Sequence, residues 1–136
     1  MPDSNVDIVR RGFDAFQKLD LDGFTRDWHP DVVWDVTNYE NWPGDGTEYR
    51  GIAEVLAEFA RYLQGARGFE VRGHEVLALD DARVLGLHHE TRTNRDGEPI
   101  HVEIGSLYEL DQTGKVTHVD VFTGHDRARS AAAART

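Results

Sequence analysis

The sequence contains no cysteine. A disulfide framework, a thiolate nucleophile and any Cys-ligated zinc or iron–sulfur centre are therefore excluded. It also lacks any apolar run near the roughly 18 residues that a membrane-spanning helix requires. The start, Met1-Pro2-Asp3-Ser4-Asn5, has neither the basic nor the apolar region of a signal peptide, so a cytoplasmic protein with no membrane partner is expected. Basic residues are in deficit, 15 Lys and Arg against 25 Asp and Glu, a formal charge of −10. Such a chain repels phosphate backbones and anionic lipid unless a local basic patch intervenes. The only Arg clustering, Arg127, Arg129 and Arg135, lies in an Ala-rich tail beside Asp126 and reads as a partly frayed terminal helix over 126–136. Nucleic acid is not an expected partner.

What is present fits one globular domain. The 136 residues are 39% hydrophobic and 29% charged, with 13 Gly and 4 Pro, enough for one core. Ile8, Val9, Phe13, Phe16 and Leu19 recur at helical spacing behind a possible N-cap at Asp3 or Ser4, predicting a first helix from Ser4 to about Lys18. A short second helix over Gly23 to Trp28 ends at His29-Pro30, because proline disfavours helical geometry in the residue before it. Val32 to Val36 is β-branched and aromatic, a buried strand. Thr37 to Gly51 reads as a loop that nevertheless carries Tyr39, Trp42 and Tyr49. Ile52, Val55, Leu56, Phe59, Tyr62 and Leu63 form the stripe of a third helix, ended by Gly65 and Gly68. Only strands and turns follow: Phe69 to Leu79, Arg83 to Thr93, Ile100 to Leu110 and Val116 to Thr123. Helices gathered ahead of hairpin-linked strands predict an α+β domain of order α-α-β-α-β-β-β-β, its helices on one face of a strongly curved antiparallel sheet. The other face, with Leu85, Leu87 and Phe122, would be an exposed apolar patch, so a homodimer through it is expected.

Several segments taken in order resemble one family. They are Asp31-Val-Val-Trp-Asp35, Trp42-Pro-Gly44, Tyr49-Arg-Gly51 opening a helix, and Gly114-Lys-Val-Thr-His-Val-Asp-Val-Phe122 before a helical tail. Together they resemble the SnoaL-like branch of the nuclear-transport-factor-2-like superfamily over nearly the whole chain. The resemblance implies a cone-shaped domain enclosing an apolar pocket, commonly a homodimer, with relatives that include polyketide cyclases, ketosteroid isomerases and an epoxide hydrolase. The isomerase pattern puts its base at Val36, with Asp35 one residue off and on the opposite face, its tyrosine at Gly12 and its acid at Ser106. All three roles are vacant. The hydrolase's Trp-x-Asp falls on Val119 and Val121, so that chemistry is disfavoured as well.

Three strands carry a His-x-acid pair: His88 with Glu90, His101 with Glu103, and His118 with Asp120. Period-2 alternation keeps each pair on one face of its strand. If Asp96-Gly97 is a two-residue turn, Glu90 faces Glu103 and the apolar partners are Leu85 and Leu87. If the loop is Arg95-Asp96-Gly97 with a bulge, His88 and Glu90 instead share a face with Val102, Ile104, Ser106 and Tyr108. The hydrophobic pattern favours the first register. The resemblance favours the second, because its pocket positions fall on His88, Glu90, Ser106 and Tyr108, and we follow it. An imidazole and a carboxyl in an apolar cone can hold and exchange one proton. The catalytic set is then His88, Glu90 and Tyr108, with Trp28, Trp34, Tyr39, Trp42, Ser106, Val119 and Val121 as ligand-binding wall.

No HExxH or comparable spacing fixes a metal, so neither metal nor cofactor is expected. Three functions fit. The first is a cofactor-independent cyclase or isomerase acting by proton transfer on a small, mostly apolar cyclic or polyketide-like molecule. The others are a non-catalytic pocket for such a molecule and a dimeric interaction module whose cavity is plugged by Trp34 or Trp42.

Overall fold

A computed structural model describes residues 4–40, 42, 46–64, 67–93 and 96–135. Helix α1 (Asn5–Gln17) is capped by the Ser4 side chain, which accepts from the Asp7 N–H, and it buries Ile8, Val9, Phe13 and Phe16. Helix α2 (Leu21–Phe24) is one turn, capped by Asp20. It ends four residues before the predicted limit, and Trp28 instead opens strand β1 (Trp28–Asp35). Pro30 is tolerated inside that strand because the β1 pairing is irregular between Trp28 and Val33, where a missing N–H breaks no ladder. The predicted loop hides a three-residue strand, β2 (Glu48–Arg50), antiparallel to β1. The Pro43-Gly44 part of the Trp42 motif, Gly65 at the end of the third helix, and Arg95 lie outside the described residues.

Helix α3 (Ile52–Gln64) buries Val55, Phe59 and Tyr62, and the remaining strands are β3 (Arg67–Ala78), β4 (Arg83–Thr93), β5 (Pro99–Leu110) and β6 (Val116–Thr123). They form one six-stranded sheet of order β2-β1-β6-β5-β4-β3. The sheet is mixed, not wholly antiparallel as expected: β1 runs parallel to β6. The physical reason is the crossover through α3, which carries the chain across the concave face before the antiparallel meander β3 to β6 returns it beside β1.

Helix α4 (His125–Arg135) corrects two further expectations. Residues 125–135 are a packed helix with Ala128 and Ala132 buried, and this helix covers Leu85, Leu87, Leu107 and Phe122 on the outer face. The apolar patch invoked for a homodimer is therefore covered within the chain. The approach is close because β5 presents Gly105, where a Cβ would lie 2.2 Å from that of Ala128. Gly86 does the same on the concave face, where a Cβ would meet Phe13 at 2.5 Å. Arg127 ties the helix to Glu40 at 2.8 Å, and Arg135 reaches Asp120 at 2.5 Å.

Candidate functional site

The β4–β5 register decides what faces the cone. His88 is paired with Ile104, Glu90 with Val102 and Gly86 with Ser106, and Gly97 sits in the left-handed region at φ 80°. This is the bulged-loop register, so His88 and Glu90 point into the concave side with Ser106 and Tyr108. The pairs His101/Glu103 and His118/Asp120 lie on the outer face and contribute nothing to the cavity.

The cavity is walled by Phe13 and Phe16 of α1, Phe24 of α2, Phe59 and Tyr62 of α3, and Trp34, Val119 and Val121 of the adjoining β1 and β6. Tyr39 and Trp42 close one side, and His88, Glu90, Ile104, Ser106 and Tyr108 form the floor. Trp28 is buried, but it packs edge-on against Phe24 at 5.0 Å and belongs to the core, not to this wall. The enclosed space is small, about 30 Å³, room for one or two waters. A ring-sized ligand must displace part of the wall. Trp42, half-buried and stacked on Tyr62 at 5.3 Å with 8° between the planes, is the wall element nearest to solvent.

Against this aromatic lining stands one polar chain. His88 Nε2 lies 2.7 Å from Glu90 Oε2, with the two side chains 4% and 8% exposed. Opposite a carboxylate, which only accepts, a neutral His88 carries its hydrogen on Nε2 and keeps the Nδ1 lone pair. That Nδ1 is buried and has no hydrogen-bond partner. The Tyr62 hydroxyl donates to Glu90 Oε1 at 3.5 Å and accepts from Arg92 Nη1 at 2.5 Å, with the guanidinium 5.3 Å from the ring centre of Tyr62. Arg92 thus sets a positive charge behind the Glu90 carboxylate. The Tyr39 hydroxyl is buried beside this chain, within side-chain hydrogen-bonding reach of the Tyr62 hydroxyl and the Arg92 guanidinium.

All three tyrosines stay protonated far into the alkaline range. Burial pushes the Tyr39 and Tyr62 hydroxyls up, with the Glu90 charge adding to it. Burial alone raises Tyr108, whose hydroxyl Ser106 engages. Each is therefore a hydroxyl that can donate, never a phenolate, and each has another polar side chain beside it.

Sequence reading missed Phe13, Phe16, Phe24, Phe59 and Tyr62 as lining residues and Arg92 as the partner of Tyr62. The helical stripes that marked them as core are the signal that could have found them, since the inner faces of α1 and α3 are the cone's walls. It also missed His125, which donates from Nε2 to the His88 carbonyl at 2.8 Å and from its backbone N–H to Glu103 at 3.2 Å. The start of α4 is thereby pinned to the outer side of the strand that carries His88.

One outer cluster has metal-ligating types: Asp35, His118 and Asp120, with ligand atoms within 4.8 Å of one another. Their groups are already engaged. Asp35 accepts from the Thr37 N–H at 2.8 Å, and Asp120 holds Arg135 at 2.5 Å and His118 at 3.8 Å. Asp35 is on the face opposite the cavity, as the isomerase comparison required. Among the described residues no helix is long and apolar enough to cross a membrane.

Comparison with known proteins agrees with this geometry. The SnoaL-like domain model matches residues 9–119. No curated protein matches the sequence. Among solved structures, an NTF2-like protein from Burkholderia thailandensis is 21% identical with a TM-score of 0.79, covering 94% of this chain and 98% of its own. A candidate polyketide cyclase from Pseudomonas putida is 16% identical with a TM-score of 0.74, covering 92% and 95%. TerC, co-crystallized with polyporic acid, is 18% identical with a TM-score of 0.76, covering 95% and 98%. At these identities the likeness is one of fold.

Proposed function

Since the chain belongs to the SnoaL-like domain family, we propose that it is a cofactor-independent enzyme of cyclase or isomerase type, moving a proton on a small, mostly apolar cyclic or polyketide-like molecule. The observation that carries this reading is the buried His88–Glu90 pair on the wall of an aromatic cavity, with His88 Nδ1 left unpartnered. Nδ1 is the base. Glu90 fixes the tautomer and balances the imidazolium that forms, and Arg92, acting through Tyr62, adds a positive charge behind that carboxylate. The base is then the imidazole, with the carboxylate as its orienting partner. The fold it shares with a candidate polyketide cyclase supports the choice of chemistry.

The small cavity favours a second reading, an interaction module whose aromatic core is permanently filled. One experiment separates the two. Ring ketones and hydroxylated ring compounds are incubated with the protein in D₂O, and exchange of their acidic C–H for deuterium is followed by NMR. Catalysed exchange that falls by roughly 10²- to 10⁴-fold in Glu90→Gln and His88→Asn is expected. A compound that binds while its C–H exchanges no faster than in buffer would sink the enzyme reading.

A further inference from the structure

Three of the chain's seven histidines, His89, His101 and His125, meet on the outer face of the sheet, away from the cavity. The β4–β5 register sets Thr91 opposite His101 and Glu103 opposite His89, so the two strand histidines are diagonal neighbours on one face, and α4 starts beside them. His89 Nδ1 and His101 Nε2 are 3.0 Å apart, with the ring planes 25° from parallel. The His125 ring stands edge-on to His89, its centroid 4.8 Å away. Its Nε2 bonds to the His88 carbonyl, which only accepts, so a neutral His125 keeps its lone pair on Nδ1. The Glu103 carboxylate lies beside all three rings and accepts from the His125 N–H. Arg72, opposite His89 on β3, is bonded to Glu70 at 2.9 Å instead.

We infer that His89 and His101 form a seat for a divalent transition-metal ion of the kind that imidazole selects, Cu²⁺, Ni²⁺ or Zn²⁺, which would bridge β4 to β5 beside the start of α4. Two metal–nitrogen bonds of about 2.0–2.1 Å meeting at roughly 90–110° hold their nitrogens about 2.9–3.4 Å apart. The observed 3.0 Å lies within that span. The strands therefore set the spacing already, and small turns of the two rings bring both lone pairs onto one ion. One hydrogen serves the contact in the free protein. The ion replaces it, and the ring that donated it carries its hydrogen on the other nitrogen. His101 is exposed and His89 half-buried, so the pair is reached from solvent and water fills the remaining positions of the ion. The Glu103 carboxylate and the net charge of −10 favour a cation there. Mg²⁺ and Ca²⁺ call for oxygen ligands and do not suit two imidazoles. The competing seat, Asp35 with His118 and Asp120, is closed by Arg135 on Asp120.

The test is calorimetric titration of the metal-free whole chain, carrying no added histidine tag, with ZnCl₂, NiCl₂, CuCl₂ and MgCl₂. One equivalent of each transition ion should bind, Cu²⁺ most tightly, and Mg²⁺ should give no heat of binding. His89→Gln and His101→Gln should each weaken Zn²⁺ binding by about 10- to 100-fold, the loss that removing even an outer partner causes at metal sites. His118→Asn should bind as the wild type does. A ligand held by the folded chain stabilises it, so saturating Zn²⁺ should raise the melting temperature of the wild type and leave that of His101→Gln unchanged. His101 is exposed, so this variant folds, and its melting without metal verifies that. No binding of Cu²⁺ or Zn²⁺, undiminished affinity in His89→Gln and His101→Gln, or a loss confined to His118→Asn would each overturn the inference. None of these readouts involves turnover, so the proposed enzyme activity stands or falls apart from them.

Discussion

His88 Nε2 and Glu90 Oε2 are 2.7 Å apart across one inward face of β4, and the other nitrogen of that imidazole has no partner in the free protein. The ring is therefore held in one tautomer, with its basic atom buried and unpartnered. In Glu90→Gln the side-chain amide can either accept from Nε2–H or donate to a bare Nε2, so the constraint on the tautomer is lost. ¹⁵N-detected NMR of the histidine side chains should show His88 as the Nε2–H form in the wild type and as a mixture in the variant. A single Nε2–H population in both would show that Glu90 does not set the tautomer.

Helix α4 is a second consequence of the sheet having two apolar faces. Deleting 125–136 would uncover Leu85, Leu87, Leu107 and Phe122, which are all buried in the whole chain. An exposed apolar face of that kind drives association. The truncated chain is expected to form dimers or larger species by light scattering at concentrations where the whole chain keeps its own oligomeric state. Gly105→Ala tests the same contact more gently. The added Cβ would stand 2.2 Å from Ala128 Cβ, and overpacking of this kind costs about 1–3 kcal/mol. Denaturant unfolding should report that loss; an unchanged midpoint would mean that α4 lifts from the sheet at no cost.

Much of this architecture is legible in the sequence, and each part that is not has its own physical reason. α1, α3, β4 and β6 were delimited to within a residue or so because their apolar periods are long and bounded by glycine or aspartate pairs. β2 escaped because three residues among glycines have no period, and α4 was misjudged because an Ala-rich helix buries small side chains that hydropathy does not count. The His88 and Glu90 placement turned on a single loop residue, which flips every side chain of the strand. Period alone favoured the wrong register, since Leu85 and Leu87 do face an apolar layer, the one beneath α4. Tyr39 and Trp42 are legible as wall from their place in a loop, but nothing local reveals that Tyr39 meets Tyr62 and Arg92, because those side chains come from α3 and β4.

The outer-face pair His118 and Asp120 gives stability a pH window. The Asp120 carboxylate 3.8 Å away raises His118 above its ordinary value, and the same contact, helped by Arg135, holds Asp120 below the usual carboxylate range. A raised histidine contributes fully below its unfolded pKa of roughly 6.5 and loses the contribution as pH rises through the folded value. A depressed aspartate contributes above its unfolded pKa of roughly 3.9 and loses the contribution as pH falls through the folded one. The pair therefore stabilises most between about pH 4 and 6.5. His118→Asn should lower the melting temperature at pH 5.5 and have a smaller effect at pH 8.5. An effect of equal size at both values would mean that the pair does not titrate with folding.

His89 carries the opposite sign. Burial, then the nearby His125 and His101, hold it below its ordinary value, and its Nδ1 lies 3.0 Å from His101 Nε2. One hydrogen serves that contact, so charging both rings breaks it. A depressed histidine leaves stability intact above about pH 6.5 and removes it as pH falls through the folded value. His89→Gln is expected to flatten the acid side of the stability profile, narrowing the difference between melting temperatures at pH 7.5 and 5. A variant as acid-sensitive as the wild type would assign that loss to other groups.

Trp42 is the element that a ring ligand must displace, and its removal should separate access from affinity. The indole is half-buried, stacks on Tyr62, and donates from Nε1 to the Tyr49 hydroxyl at 3.0 Å. Trp42→Ala deletes both contacts and enlarges a space of about 30 Å³. A fully buried Trp→Ala change costs about 3–5 kcal/mol, so this half-buried one should cost less, about 2 kcal/mol. In stopped-flow mixing with a ring ketone that binds the wild type, the variant should associate faster than the wild type, because the step that opens the slot over Tyr62 is gone. Its dissociation should be faster too, since the ring then lacks an aromatic neighbour beside Tyr39. Unchanged association with normal stability would place the entrance elsewhere on the wall and leave Trp42 as packing.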